Sequence, residues 1–297
     1  MKPSRRNEIP AGVSAGAVEK RSWYTLERGQ QGLAQSLLSS FQPLCGKKCR
    51  HVQHLNERSS GMSLQSNLET IRGNIEEACT RSSRDPESVH IIAVTKYVTN
   101  ERAEEAVDAG ITMLGENRLE GLQEKHGAIG DRAEWHFIGS LQSRKVKDMI
   151  DTVTAVHSLD RRSLAKEIQK RAPEGAVINC FVQVNVSGES TKSGLAPEET
   201  VEFIRSLADF DKINVIGLMT MAPYEEDPET VRPYFRRLRE LGEEVQQAGL
   251  PHAPCLELSM GMSNDYMTAV EEGATYIRIG SSLVGSDASE TEGAEKA

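Results

Sequence analysis

The 297-residue chain has no run approaching the ~18 consecutive apolar residues of a membrane span, which excludes a helical membrane-spanning protein. Aromatic residues make up only 5%, and the five cysteines are too few and too scattered for the disulfide framework of a small secreted domain. Cys79 and Cys180 lie in apolar stretches where a reduced, buried thiol is expected, consistent with a cytoplasmic chain. Basic charge is scarce where nucleic acid would need it. The first sixty residues hold 10 Lys and Arg against 4 Asp and Glu, yet the whole chain carries a net −9, so the body is acidic and no nucleic-acid partner is expected. Cys45 and Cys49 with His51 and His54 offer zinc-ligand residue types without the ~12-residue separation between ligand pairs, and read as part of a basic tail rather than a metal site.

What is present is a globular profile, 38% hydrophobic and 27% charged, in a length that allows two ordinary domains or one α/β barrel of ~250 residues. Residues 1–61 are rich in Ser, Gln, Gly, Lys and Arg, with one short apolar patch at Leu33–Leu38, and are expected to form a disordered basic tail. No apolar segment follows the basic start, so a secretory signal is not expected, and Glu8, Glu19 and Glu27 count against a transit peptide. Translation from Met62 is a simpler account. From there Leu64, Leu68, Ile71, Ile75 and Ala78 recur at helical spacing and predict an amphipathic helix over 64–80. The acidic end, 286–297, is expected to be a second disordered tail, leaving 62–285 as a single domain.

Within that domain eight short β-branched runs alternate with amphipathic patterns. The predicted strands are Val89–Thr95, Thr112–Gly115, Trp135–Ile138, Thr154–Ser158, Val177–Val186, Asn214–Met219, Cys255–Ser259 and Tyr276–Leu283. Helices are predicted over Glu101–Ala109, Arg118–Ala128, Arg144–Met149, Arg161–Arg171, Pro197–Ala208, Pro228–Ala248 and Asp265–Glu272. Gly110, Gly249 and Gly273 follow helices as left-handed C′ residues, and Thr99 and Asp160 stand where N-caps belong. Strict βα alternation implies a parallel sheet, and eight units are the number that closes into a (β/α)8 TIM-type barrel. An open doubly wound sheet is the alternative, without a Gly-rich fingerprint after the first strand to support it.

Working groups of such a barrel project from the C-terminal ends of its strands. The first run ends in Lys96, a flexible primary amine at the barrel mouth. Partial desolvation favours the neutral, nucleophilic form of an amine, which imine formation with an aldehyde requires. The seventh and eighth runs end in Gly/Ser-rich turns, Ser259-Met-Gly261-Met-Ser263 and Gly280-Ser281-Ser282, the latter after Arg278. Loops after the last two strands are where barrels most often hold phosphate. An imine-forming lysine facing a phosphate site suggests pyridoxal phosphate or a phosphorylated aldehyde sugar.

Seven motifs then occur in order: Ala93-Val-Thr-Lys96, Gly115-Glu-Asn117, Trp135-His-Phe-Ile-Gly139 with Leu141-Gln-Ser143, Val184-Asn-Val-Ser-Gly-Glu189 with Lys192-Ser-Gly194, Gly217-Leu-Met-Thr220, Leu258-Ser-Met-Gly-Met-Ser263 and Arg278-Ile-Gly280. From about Met62 to Gly285 the chain resembles the pyridoxal phosphate homeostasis proteins, the YggS/PROSC family, which look like the barrel domain of alanine racemase without its second domain. The resemblance implies that Lys96 holds pyridoxal 5'-phosphate as an internal aldimine and that Asn117 lies beside the ring. It also implies that Ser259, Gly261, Gly280 and Ser281 surround the phosphate while Arg278 faces the pyridine nitrogen. Lys192 is a second amine near the mouth or a solvated loop lysine. His136 reads as a structural strand residue, since no carboxylate or cysteine partner is suggested near it. Many relatives carry a second lysine where this chain has Val98, and Ser140 and Arg144 interrupt the usual stretch after Gly139.

Three functions remain open at this point: a non-catalytic protein that holds pyridoxal phosphate and supplies it to apo-enzymes, an amino-acid racemase-like enzyme, and a cofactor-free Schiff-base aldolase. The first is favoured, as a monomer or weak homodimer, without metal, membrane or nucleic-acid partners. Racemisation needs a second acid/base opposite the lysine, and only a bound cofactor would colour the protein yellow.

Overall fold

The computed structural model describes residues 63–285. Both expected tails, and the Cys45–His54 cluster with them, lie outside the described residues. The first described element is α1 (Leu64–Ser82), opened by Ser63, whose side chain accepts the Ser66 amide, and closed by Ser83 in the left-handed conformation. Its Leu64, Leu68, Ile71, Ile75 and Ala78 are buried, as the helical spacing requires.

Eight strands follow: β1 (His90–Val94), β2 (Met113–Glu116), β3 (Glu134–Phe137), β4 (Ala155–Leu159), β5 (Ile178–Gln183), β6 (Ile213–Met219), β7 (Glu257–Met262) and β8 (Tyr276–Ile279). Each pairs in parallel with its neighbour in sequence, and β8 pairs with β1 (His90 opposite Tyr276, Ala93 opposite Ile279), closing the barrel. Connecting helices are α2 (Asn100–Asp108), α3 (Leu119–Ile129), α4 (Arg162–Arg171), α5 (Pro197–Arg205), α6 (Arg232–Gln247) and α7 (Tyr266–Glu271), with the single turn α8 (Ser281–Val284) after β8. This is the (β/α)8 barrel that the alternation predicts. α1 packs across α7 and α8, where Asn74 Nδ2 donates to the Tyr266 hydroxyl at 2.7 Å and Asn67 Nδ2 to the Leu283 carbonyl at 3.0 Å.

Several boundaries differ from the expected ones, each for a local reason. Gly261 is not the start of a turn but lies inside β7: Ser259 stands opposite Tyr276 and Met262 opposite Arg278, so one extra β7 residue bulges there. Gly261 has φ +91, and a Cβ would lie 2.6 Å from the Ala269 Cβ on α7, so only glycine fits the bulge. β5 stops at Gln183 because Asn185 folds the chain back, its Oδ1 accepting from the Ser187 hydroxyl and the Gly188 amide. β8 ends at Ile279 because the next residues wind into α8. The segment expected as a helix over Arg144–Met149 is a 3-10 helix, Ser143–Asp148, and Pro228–Val231 forms another before α6. Thr99 caps α2 as expected, but Asp160 does not cap α4; its carboxylate accepts from Arg161 at 2.5 Å.

Two apolar regions result. The larger lies between strands and helices and includes the expected buried thiols Cys79 and Cys180. The smaller is inside the barrel, where Ala155, Phe181 and Met219 pack with the partly buried Ile216 and Tyr276. The rest of the lumen is polar: His136, His157, Ser259 and Arg278 are each at most 4% exposed.

Candidate functional site

A cavity of about 590 Å3 opens at the C-terminal ends of the strands, the end where barrels of this kind carry their chemistry. Lys96 enters it from the turn that follows β1, with its Nζ 4.6 Å from the centroid of the Tyr97 ring. Asn117 enters beside it from the end of β2. The two are delivered by a buried brace. Thr95, one residue before Lys96, donates its hydroxyl to Glu116 Oε1 at 2.6 Å, and Lys125 Nζ on α3 lies 3.2 Å from the same oxygen. Glu116 is 1% exposed and directly precedes Asn117. Gly139, after β3, completes this wall, and its closeness is what demands glycine: a Cβ would lie 2.1 Å from the Asn117 carbonyl oxygen.

The facing wall comes from β8 and α8. Arg278, Gly280 and Ser281 all line the cavity. Leu283 N bonds to the Gly280 carbonyl as the first bond of α8, so the amides of Ser281 and Ser282 precede the helical ladder. Arg278 is anchored from below, with Nη1 donating to Ser259 Oγ at 2.6 Å and Nη2 to the Thr220 carbonyl at 2.8 Å. Burial pulls its guanidinium down to about 10, against the opposing pull of the Asp265 carboxylate. It therefore remains a cation at neutral pH. Asp265 lines the cavity as well, and burial raises its carboxyl despite the bond it accepts from the Met262 amide at 2.6 Å.

Residues 66–288 match the family described as alanine racemase, N-terminal domain. A relative from Aquifex aeolicus, named pyridoxal phosphate homeostasis protein, is 44% identical over 223 residues, covering 73% of this chain and 96% of that one. The chain belongs to the pyridoxal phosphate homeostasis protein family. Among solved structures, PipY of Synechococcus elongatus, in a form with PLP bound, is 31% identical with a TM-score of 0.66, covering 75% of this chain and all of that one. Alanine racemase from Clostridium difficile, at 19% identity and a TM-score of 0.60 over 76% of this chain and 60% of that one, shares the fold.

Against what the family resemblance implied, five residues come together: Lys96, Asn117, Arg278, Gly280 and Ser281 line one cavity. Ser259 and Gly261 do not line it. Ser259 is wholly buried beneath Arg278, and Gly261 is occupied with the bulge against α7. Lys192 lies outside it too, its Nζ 3.2 Å from Glu189 Oε1. Val98 is buried in the outer core and brings no second amine. Of the described residues, Met262, Asn264 and Asp265 line the cavity without having been singled out, because the β7 bulge carries the strand end three residues beyond its expected limit. His136 does have a partner: its Nδ1 lies 2.9 Å from His157 Nε2. No group of three or more metal-ligating side chains that could hold an ion occurs among the described residues, and none of their helices is long and apolar enough to cross a membrane.

Proposed function

We propose that this chain binds pyridoxal 5'-phosphate at Lys96 and serves to hold and supply it rather than to turn over a substrate. One observation carries the reading: a primary amine, a buried guanidinium and Ser281, whose amide lies outside the helical ladder, converge on a single cavity. Its volume, about 590 Å3, lies within the ~300–1,000 Å3 usual for small-molecule sites. The donor set fits the group. When bound, pyridoxal phosphate supplies an aldehyde that condenses with a primary amine, and a phosphate dianion.

Lys96 offers the amine, half-buried beside the Tyr97 ring. The amides after Gly280 and the Ser281 hydroxyl offer donors to phosphate oxygens, and glycine at 280 leaves the backbone approachable. Asn117, braced by Glu116, steers the ring. Arg278, a cation fixed by two acceptors, faces the ring nitrogen and disfavours a proton there, since two like charges would be brought together. That weakens the ring as an electron sink and suits storage better than catalysis. Recipients in this reading are pyridoxal-phosphate-dependent apo-enzymes.

Borohydride reduction of the yellow protein followed by peptide mapping tests the assignment. Label is expected on Lys96 and absent from Lys96→Ala; recovery mainly on Lys192 or Lys125 refutes it. Incubation with L-alanine in deuterium oxide is expected to give little α-proton exchange, and racemisation faster than about one turnover per second, an ordinary enzymatic rate, overturns the storage reading.

A further inference from the structure

The lumen beneath the cavity holds two imidazoles that the binding site does not touch. His157 is wholly buried on β4, its ring stacked on Phe181 at 4.2 Å between centroids. Its Nδ1 lies 3.0 Å from Ser259 Oγ, the atom that also accepts from Arg278. Its Nε2 lies 2.9 Å from His136 Nδ1. A continuous chain therefore runs from the cavity wall into the barrel: Arg278, Ser259, His157, His136. It stops there, because His136 Nε2 is buried and has no hydrogen-bond partner. The charged and titratable groups facing the pair are Arg278, His90 and the Tyr276 phenol, which burial pushes up to about 12 and so keeps neutral, and no carboxylate bonds to either ring. Both rings are accordingly neutral at pH 7, each with a single N–H.

Neutral rings leave two ways to arrange the protons. In the first, Arg278 donates to Ser259, the Ser259 hydroxyl donates to His157 Nδ1, and His157 Nε2–H donates to His136 Nδ1. One buried group, His136 Nε2–H, is then unsatisfied. In the second, the two imidazole bonds reverse, and Ser259 Oγ accepts from both Arg278 and His157. Its own hydroxyl proton then has no acceptor among the described residues, and the His136 Nε2 lone pair is unsatisfied as well. The first arrangement strands one group and the second strands two. Charge favours the first too, because a hydroxyl accepting from a guanidinium is polarised toward donation.

We propose that His157 is a positioning residue for Arg278, acting through Ser259, with His136 behind it locking the direction in which every proton of the chain points. Because the chain ends at His136 without an outlet, it holds protons in place and does not conduct them. Ser259 can accept from the guanidinium with full strength only while its own hydroxyl is committed to His157, so the imidazole fixes Arg278 without touching the cavity. What Arg278 does for a bound ring rests on the pyridoxal phosphate reading above; the proton arrangement does not.

The test separates the two. In the full-length protein without added cofactor, 15N NMR of labelled histidine is expected to find His136 and His157 both protonated on Nε2 at pH 7, and the guanidinium Nη signals of Arg278 separately resolved because rotation is slowed. His157→Phe, which keeps the stack on Phe181 and removes the acceptor, is expected to merge those signals. His157→Asn, whose amide oxygen can replace Nδ1, is expected to restore them. An Nδ1–H tautomer on either ring, or Arg278 signals unchanged in His157→Phe, overturns the proposal. With pyridoxal phosphate added, His157→Phe is expected to weaken binding about tenfold, the worth of one hydrogen bond, and to shift the pH titration of its visible absorbance. A variant with a lower melting temperature but an unmoved pH titration shows a merely structural residue and refutes the positioning role. Expected tautomers in a wild-type protein that takes up no pyridoxal phosphate would defeat the cofactor reading alone.

Discussion

Acid should destabilise this barrel from about pH 6.5 downward, before its ion-paired glutamates contribute much to the loss. Burial, reinforced by His90, pushes His136 down to about 4, against 6.5 for a free imidazole. His157 is lowered in the same sense by burial and by the charges of His136 and Arg278. A group whose folded-state pKa is depressed binds protons more readily when unfolded, so its contribution is complete above about 6.5 and is lost as pH falls toward 4. For His136 this amounts to about 1.4 kcal/mol per pH unit in the middle of that window. Between pH 7 and 4.5 His136 alone removes about 2.4 kcal/mol, and His157 adds to it in the same direction. For a domain of this size that is roughly 5–10 °C in melting temperature. Glu229 and Glu272 have carboxyls lowered below 4.5, so their losses begin as pH nears 4.5, at the acid end of that window, while Asp265, raised by burial, acts in the opposite direction. Urea denaturation at half-unit steps from pH 7 to 4.5 measures the slope, and His136→Phe with His157→Phe is expected to flatten it. If those substitutions prevent folding, the imidazole proton shifts of the wild type serve instead: midpoints near 6.5 for both rings would refute the reasoning.

Three further outcomes are expected. Gly280→Val should weaken pyridoxal phosphate far more than unphosphorylated pyridoxal, because its side chain would cover the neighbouring amides where a Cβ meets only Val94 at 3.7 Å; equal losses, measured by fluorescence titration, count against a phosphate role. Lys125→Met strands the Glu116 carboxylate and should cost about 3–5 kcal/mol in chemical denaturation, whereas the double variant with Glu116→Gln should recover much of it; additive losses disprove the pairing. A chain begun at Met62 should keep its melting temperature and its cofactor, since the described barrel closes on itself and Ser63 caps α1; a large drop in calorimetry contradicts this.

The barrel was legible because its strands are buried on both faces and read as apolar runs, and because Thr99, Gly110, Gly249 and Gly273 punctuate them. Lys96 and Arg278 were legible as the polar residues that end or interrupt such runs. The bulge at Gly261 was not, since a glycine between two methionines reads equally as a turn, and only the approach of α7 to the strand distinguishes them. Nor was the lumen chain. His136 and His157 are 21 residues apart, and Ser259 lies another 102 along the chain, so they meet only when β3, β4 and β7 are bent around one axis. Each lies in a short strand that carries one other polar residue, Glu134, Ser158 or Glu257, and nothing along the strand shows which partner closure will bring.

The two sides of the cavity are built to different standards, and that difference bears on release. Lys96 and Asn117 hang from strand ends braced by the Thr95–Glu116–Lys125 contacts, and Arg278 is fixed to Ser259 and Thr220, all on groups shut away from water. Polar contacts in such surroundings are strong and costly to break, so this side is set before any ligand arrives. The outer side is loop: Met221 and Tyr224 are exposed, Tyr224 by 79%, and the segment is tied to the β7 side by Asn264 Nδ2 donating to the Glu225 carbonyl at 2.8 Å. An exposed hydrogen bond of that kind is worth about 1 kcal/mol, a few-fold in population. A ligand held by the inner side therefore has an exit that needs no strand to move. On the storage reading proposed above, such a wall suits a protein that must surrender what it holds.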